Sequence, residues 1–137
     1  MILLDTHVLI WSLQDADALG PEARLLLDEE ILAEGLMISA ITVWEIALLA
    51  KKARIVLGMD VLKWIEDALA LPGLVLGALD PPIAVGSVML PGDLHNDPAD
   101  RIIIATARQH NLPLLTADQA ILDYGGAGHV NVIDARR

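Results

Sequence analysis

The feature that most limits what this chain can fold into is a set of five short apolar runs: "ILLD" (2–5), "LMIS" (36–39), "LVLGAL" (74–79), "PLLT" (113–116) and "VNVI" (130–133). Each is too short to make a helix, and most lack the polar alternation of a half-exposed strand, so they read as strands buried on both faces. The intervening segments carry helical patterns. "THVLIWSLQ" follows the first run, and "GPEARLLLDEEILAEG" has Pro21 at its first helical position and Gly35 after its last, the usual asymmetry of helix ends. "TVWEIALLAKKA" places Thr42 and Glu45 at capping-box spacing. Asp60 can cap "VLKWIEDALAL", Gly86 weakens "PPIAVGSVML", and "PADRIIIATARQHN" runs to Asn111 before the short helix "DQAILDYG". Parallel neighbours need long crossovers, and helices supply them. The expected fold is therefore α/β: a three-layer sandwich around a mainly parallel, about five-stranded sheet. No repeat, linker or low-complexity tract divides the chain, so residues 1–137 are expected to form one domain.

Composition narrows the function. Nineteen acidic residues against nine basic give a net charge of −10, which argues against broad, sequence-independent binding of phosphate backbones. Any nucleic-acid contact must be local or metal-assisted. The only aromatic residues besides histidine are Trp11, Trp44, Trp64 and Tyr124, too few for a base-stacking platform. Cysteine is absent, which excludes thiolate metal sites and fits a reducing compartment such as the cytoplasm. "MILLDTHVLIW" has no basic leader and makes a poor signal peptide. The apolar stretch "ALALPGLVLGAL" is broken by Pro72 and Gly73 and falls short of the roughly 18 residues of a membrane span. A soluble, cytoplasmic protein is expected.

In open α/β sheets ligands bind beyond the carboxyl ends of the strands, and this rule singles out particular acids. Asp5 ends the first apolar run and Asp118 follows the fourth. Glu45 lies about a helical turn past the second run, and Asp100 lies in the first turn of the helix after "HND". If these four carboxylates meet, mutual repulsion raises their pKa values unless a cation intervenes. An all-oxygen set favours Mg²⁺ or Mn²⁺. Each acid also has a purely structural role open to it. Asp5 and Asp118 can cap the helices that follow them, and Glu45 can close its capping box. Asp97, with Pro98 behind it, has the strongest N-cap signature in the chain. Arg101 stands at ion-pair spacing from Asp97.

Taken together, "LLDTHVLIW", "ISAITVWEIA", "HNDPADRIIIATA" and "LPLLTADQAI" resemble, in order and spacing, the PIN-domain proteins, and most closely the VapC-type toxins of bacterial toxin–antitoxin pairs. The resemblance covers nearly the whole chain and is loosest at "KKARIVLGMD". It implies a Mg²⁺- or Mn²⁺-dependent endoribonuclease that hydrolyses RNA phosphodiesters, with Asp5, Glu45, Asp100 and Asp118 as catalytic and metal-holding residues and Asp97 in support. It further implies a cognate VapB-like antitoxin and a toxin homodimer. Asp5 and Asp100 are the first choices as metal ligands, with Asp118 completing the cluster directly or through water. Glu45 can hold a second ion or position the attacking water.

Other residues invite roles near such a site. Lys51, Lys52 and Arg54 form the densest basic group and are candidates for RNA-backbone contact or, equally, for a solvated helix end. Thr6 and Thr116 adjoin the acids, and His7 and His95 are assigned to packing or loop hydrogen bonds. The tryptophans are expected in the core or at an interface. Two rival readings remain. One is a receiver-like signalling module with an acidic Mg²⁺ pocket, which calls for paired acids after the first strand and a lysine after the fifth; "LLLDTH" offers one acid and "VNVIDARR" no lysine. The other is an inactive PIN scaffold that only binds partners.

Overall fold

A computed structural model describes all 137 residues. The five runs form one all-parallel sheet: β1 (Ile2–Leu4), β2 (Leu36–Ser39), β3 (Leu74–Gly77), β4 (Leu114–Thr116) and β5 (Val132–Asp134), in the order β3-β2-β1-β4-β5. Seven helices connect them: α1 (Thr6–Gln14), α2 (Pro21–Glu30), α3 (Ala40–Lys51), α4 (Val61–Leu69), α5 (Pro81–Val88), α6 (Pro98–His110) and α7 (Gln119–Gly126). A receiver-like domain has the order 2-1-3-4-5, so the topology sets that reading aside. None of the helices is long and apolar enough to cross a membrane.

Side-chain alternation along the strands divides the interior into two cores. Ile2 and Leu4 point into the larger one with Val8, Leu9, Leu27, Trp64 and Ile65. Leu3 points the other way, onto Ile103, Ile104, Ile121 and Tyr124. Leu115 and Leu114 divide in the same manner. The central strands are therefore covered by helices on both faces, which is why their sequences are continuously apolar. Ile103 and Ile104 of α6 are fully buried, each contributing about 1.5–3 kcal/mol of burial. They seat α6 against β1 and β4.

Several boundaries differ from the sequence reading. α2 ends at Glu30, and the chain turns through 31–34 before Gly35. With φ 93°, Gly35 reverses the chain into β2 instead of capping the helix. The fifth strand lies at Val132–Asp134, two residues later than "VNVI" suggests, and it is an edge strand only half buried. α3 starts earlier than Thr42: Ser39 is its N-cap, accepting the Ile41 N–H at 3.1 Å. Thr42 is buried one turn in and hydrogen-bonds the Thr6 hydroxyl at 3.0 Å. The expected capping box is not formed, and Glu45 has no capping duty.

Candidate metal centre

The chain enters the sheet at its middle, builds outward through β2 and β3, and then crosses to β4 and β5. The carboxyl ends of β1 and β4 therefore face a topological switch point, where connections depart in opposite directions and leave a crevice. A cleft of about 360 Å³ lies there, lined by Asp5, His7, Trp11, Glu45, Asp97, Asp100, Ala117 and Asp118. All four acids singled out in the sequence line it, and Asp97 joins them. No lysine or arginine does.

Asp5 follows β1 directly and is almost fully buried. Its Oδ1 accepts the Thr6 N–H at 2.8 Å and its Oδ2 accepts the Thr116 hydroxyl at 2.7 Å. The Thr116 Oγ1 accepts the Asp118 N–H at 3.0 Å, so this hydroxyl, at the end of β4, couples the two strand ends. Burial pushes the Asp5 carboxyl up, and the bonds from Thr116 and Thr6 only partly oppose it. Asp118 caps α7, accepting the Ile121 N–H at 3.2 Å. Asp5 and Asp118 thus act as caps and as cleft walls at once. The two roles coincide because helices begin where parallel strands end.

Glu45 projects from the second turn of α3. Burial raises its pKa, the Thr6 hydroxyl lowers it, and the charges of Asp5 and Asp97 raise it further. Asp97 is the N-cap of α6, accepting N–H bonds from Ala99 at 2.9 Å and Asp100 at 3.4 Å, with Pro98 behind it. This cap aims the first turn so that Asp100 faces the cleft. The Asp100 carboxyl is pushed up to about 8, first by burial and then by the charges of Asp5, Asp97, Asp118 and Glu45. Such a shift in a cleft marks a group whose charge awaits a partner.

The donor set fits a hard divalent cation: five carboxylates and no sulfur, gathered where burial and the neighbouring charges disfavour ionisation of Asp100. No three of these side chains stand at metal-ligand spacing in this structure. The expected Asp97–Arg101 ion pair is not made; the Arg101 guanidinium instead donates to backbone carbonyls. Lys51, Lys52 and Arg54 are exposed at and beyond the far end of α3, with Lys51 about 9 Å along the helix axis from Glu45. Trp64 is core and Trp44 is exposed. Trp11 lies on the cleft wall, its ring 5.7 Å from that of His7. The apolar pattern of α1 concealed this position, because Trp11 also packs against the larger core.

Comparison with known proteins gives the same picture. The chain is 36% identical over 120 residues, 88% of each chain, to Ribonuclease VapC22 of Mycobacterium tuberculosis. The structure of FitAcB from Neisseria gonorrhoeae superposes with a TM-score of 0.64 at 28% identity, covering 98% of both chains. The fold alone is shared with VapBC2 from Rickettsia felis, bound to a DNA fragment from its promoter, at a TM-score of 0.70, 14% identity and 98% coverage of both chains. The family model described as the PIN domain matches residues 2–127, which takes in every acid of the cleft, and the chain belongs to the PIN-domain family, in its VapC branch.

Proposed function

We propose that the protein is an endoribonuclease dependent on Mg²⁺ or Mn²⁺, that Asp5, Glu45, Asp100 and Asp118 are its working acids, and that it acts as the toxin of a toxin–antitoxin pair. The observation that carries this reading is the cleft itself: five carboxylates, no fixed lysine or arginine, and an Asp100 carboxyl held near neutrality at about 8. A divalent ion bound there would lower the pKa of a water and offset charge on the phosphate and the leaving oxygen. Asp5 and Asp100 hold the ion, with Asp118 alongside. Glu45, freed from capping, orients the attacking water or holds a second ion.

The chain's own residues supply positioning. Thr116 donates to Asp5 Oδ2 and accepts the Asp118 N–H, which links the two acids' positions, and Asp97 sets the angle at which α6 delivers Asp100. Because the cleft is acidic, a phosphodiester gains little from the empty site, which makes the cation a condition of substrate approach as well as of chemistry. The whole chain, 1–137, works as one domain in this reading, in the cytoplasm, as a homodimer held inactive by a VapB-like antitoxin. A basic side chain of that partner would satisfy the same unpaired acids. The relative's name supports the ribonuclease activity, and the likeness to a toxin–antitoxin complex from Klebsiella pneumoniae, at 25% identity and a TM-score of 0.66 over 98% of both chains, supports the partner.

The test is RNA cleavage by protein freed of antitoxin. Cleavage is expected only with Mg²⁺ or Mn²⁺, and Asp100→Asn is expected to abolish it while leaving the fold intact. Undiminished metal-dependent cleavage by that variant would remove Asp100 from the site.

A further inference from the structure

Between α5 and α6, residues 89–97 form no helix or strand, and their end forms a lip of the acid cleft. Arg101, half-buried in the first turn of α6, ties this segment down. Its Nε donates to the Ser87 carbonyl at 2.9 Å and its Nη2 to Val88 at 3.3 Å; its Nη1 donates to Leu94 at 3.3 Å and to His95 at 3.2 Å. Ser87 and Val88 end α5, where carbonyls lack helical partners and the dipole is negative. A planar, always charged fork can serve both this helix end and the carbonyls of Leu94 and His95, which a lysine cannot do. The backbone of His95 is thereby pinned to the helix that carries Asp100.

The His95 ring is held at Nδ1 and lies close to an acid at Nε2. Nδ1 accepts the Asp97 amide N–H at 3.2 Å, so the lone pair lies there and the ring proton lies on Nε2. Nε2 stands 3.2 Å from Asp100 Oδ2. The amide whose own side chain caps α6 thus favours the tautomer that carries its proton on the nitrogen nearest the acid at the third position of that helix. Side chains that hydrogen-bond a metal-holding carboxylate orient it and tune its affinity.

We propose that His95 is a positioning residue for Asp100: its Nε2–H, fixed by the Asp97 amide and by the Arg101 clamp, holds Oδ2 so that the carboxylate meets the cation in one orientation. This rests on the reading of Asp100 as a metal-holding acid. The test compares Mn²⁺ affinity, measured by calorimetry on the full-length protein without RNA, in the wild type, His95→Gln, His95→Asn and Asp100→Asn, with thermal melting as the check on folding. Glutamine can keep a donor at the Nε2 position, whereas asparagine reaches only the Nδ1 position. His95→Asn is expected to weaken Mn²⁺ binding about 10-fold and to raise the Mn²⁺ concentration needed for half-maximal cleavage in parallel. His95→Gln is expected to stay near the wild type. Wild-type affinity in His95→Asn, or equal loss in both variants, overturns the proposal. Wild-type affinity in Asp100→Asn overturns the metal-site reading beneath it.

Discussion

Asp100 and Asp134 both lie at the carboxyl edge of the sheet, and their surroundings treat a negative charge in opposite ways. Asp134 ends β5, where Arg136 folds back on it. The Arg136 Nε reaches Oδ1 at 2.9 Å, Nη2 reaches Oδ2 at 2.9 Å, and the backbone N–H adds a third bond at 2.9 Å. Those bonds hold its pKa down to about 2. Asp100 lies at the centre of the same edge among four other acids, with no lysine or arginine in the cleft to pair with it, and its carboxyl is pushed up to about 8. A paired acid at the rim is a local brace. An acid whose repulsion is left standing at the switch point is a candidate for the functional site.

The contrast breaks most sharply under substitution. Asp100→Asn is expected to abolish metal-dependent RNA cleavage and to raise the melting temperature of the metal-free protein, because it removes a carboxyl that burial and its neighbours force to take up a proton on folding. Asp134→Asn is expected to leave cleavage unchanged. Loss of activity in the second variant would show that the rim belongs to the site.

The two acids also predict opposite pH limbs. Asp100 has a folded pKa of about 8 against an ordinary value of 3.8, so between these the folded state holds a proton that the unfolded chain has released. Metal-free stability should therefore fall as pH rises through that window, and added Mg²⁺ should stabilise more at its alkaline end than at its acid end. Asp134, at about 2 against 3.8, contributes stability that is lost as pH falls through the interval between them. Melting curves across pH, with and without Mg²⁺, should show Asp100→Asn flattening the first limb and Asp134→Asn the second.

Smaller effects sharpen the picture inside the cleft. Thr116→Val removes a donor from buried Asp5 and an acceptor from the Asp118 N–H, and should cost about 1–3 kcal/mol in urea denaturation. Asp97→Ala should cost about 0.5–2 kcal/mol through loss of the N-cap. Full stability with lost cleavage in Asp97→Ala would move that residue from scaffold to working acid.

Much of this arrangement was legible locally. Asp97-Pro98 announces the start of α6, Asn111 closes it in the left-handed conformation, and Asp60 caps α4 through the Lys63 N–H. These are short-range devices, dictated by residues within one turn of each other. Glu45 was harder to read, because Ser39 and Thr42 both have cap chemistry and lie only three residues apart. The winner was decided by a contact with Thr6, thirty-six residues away in sequence. Arg101 misled for a similar reason. Its spacing from Asp97 suits an ion pair, yet the carbonyls of α5 and of Leu94 and His95 offered the guanidinium more bonds.

By itself, the sequence determined the parallel α/β architecture, the capped helix starts and the identity of the acids that could matter, since period, capping and strand length are properties of neighbouring residues. Tertiary structure alone decided which acids repel. Asp100 and Asp134 are the same side chain; Arg136, two residues on, braces Asp134, whereas burial and the charges of acids distant in sequence reach Asp100 only once the strands and α6 come together. The approach of His95 Nε2 to within 3.2 Å of Asp100 likewise belongs to the tertiary structure, in which Arg101 pins the Leu94 and His95 carbonyls to α6.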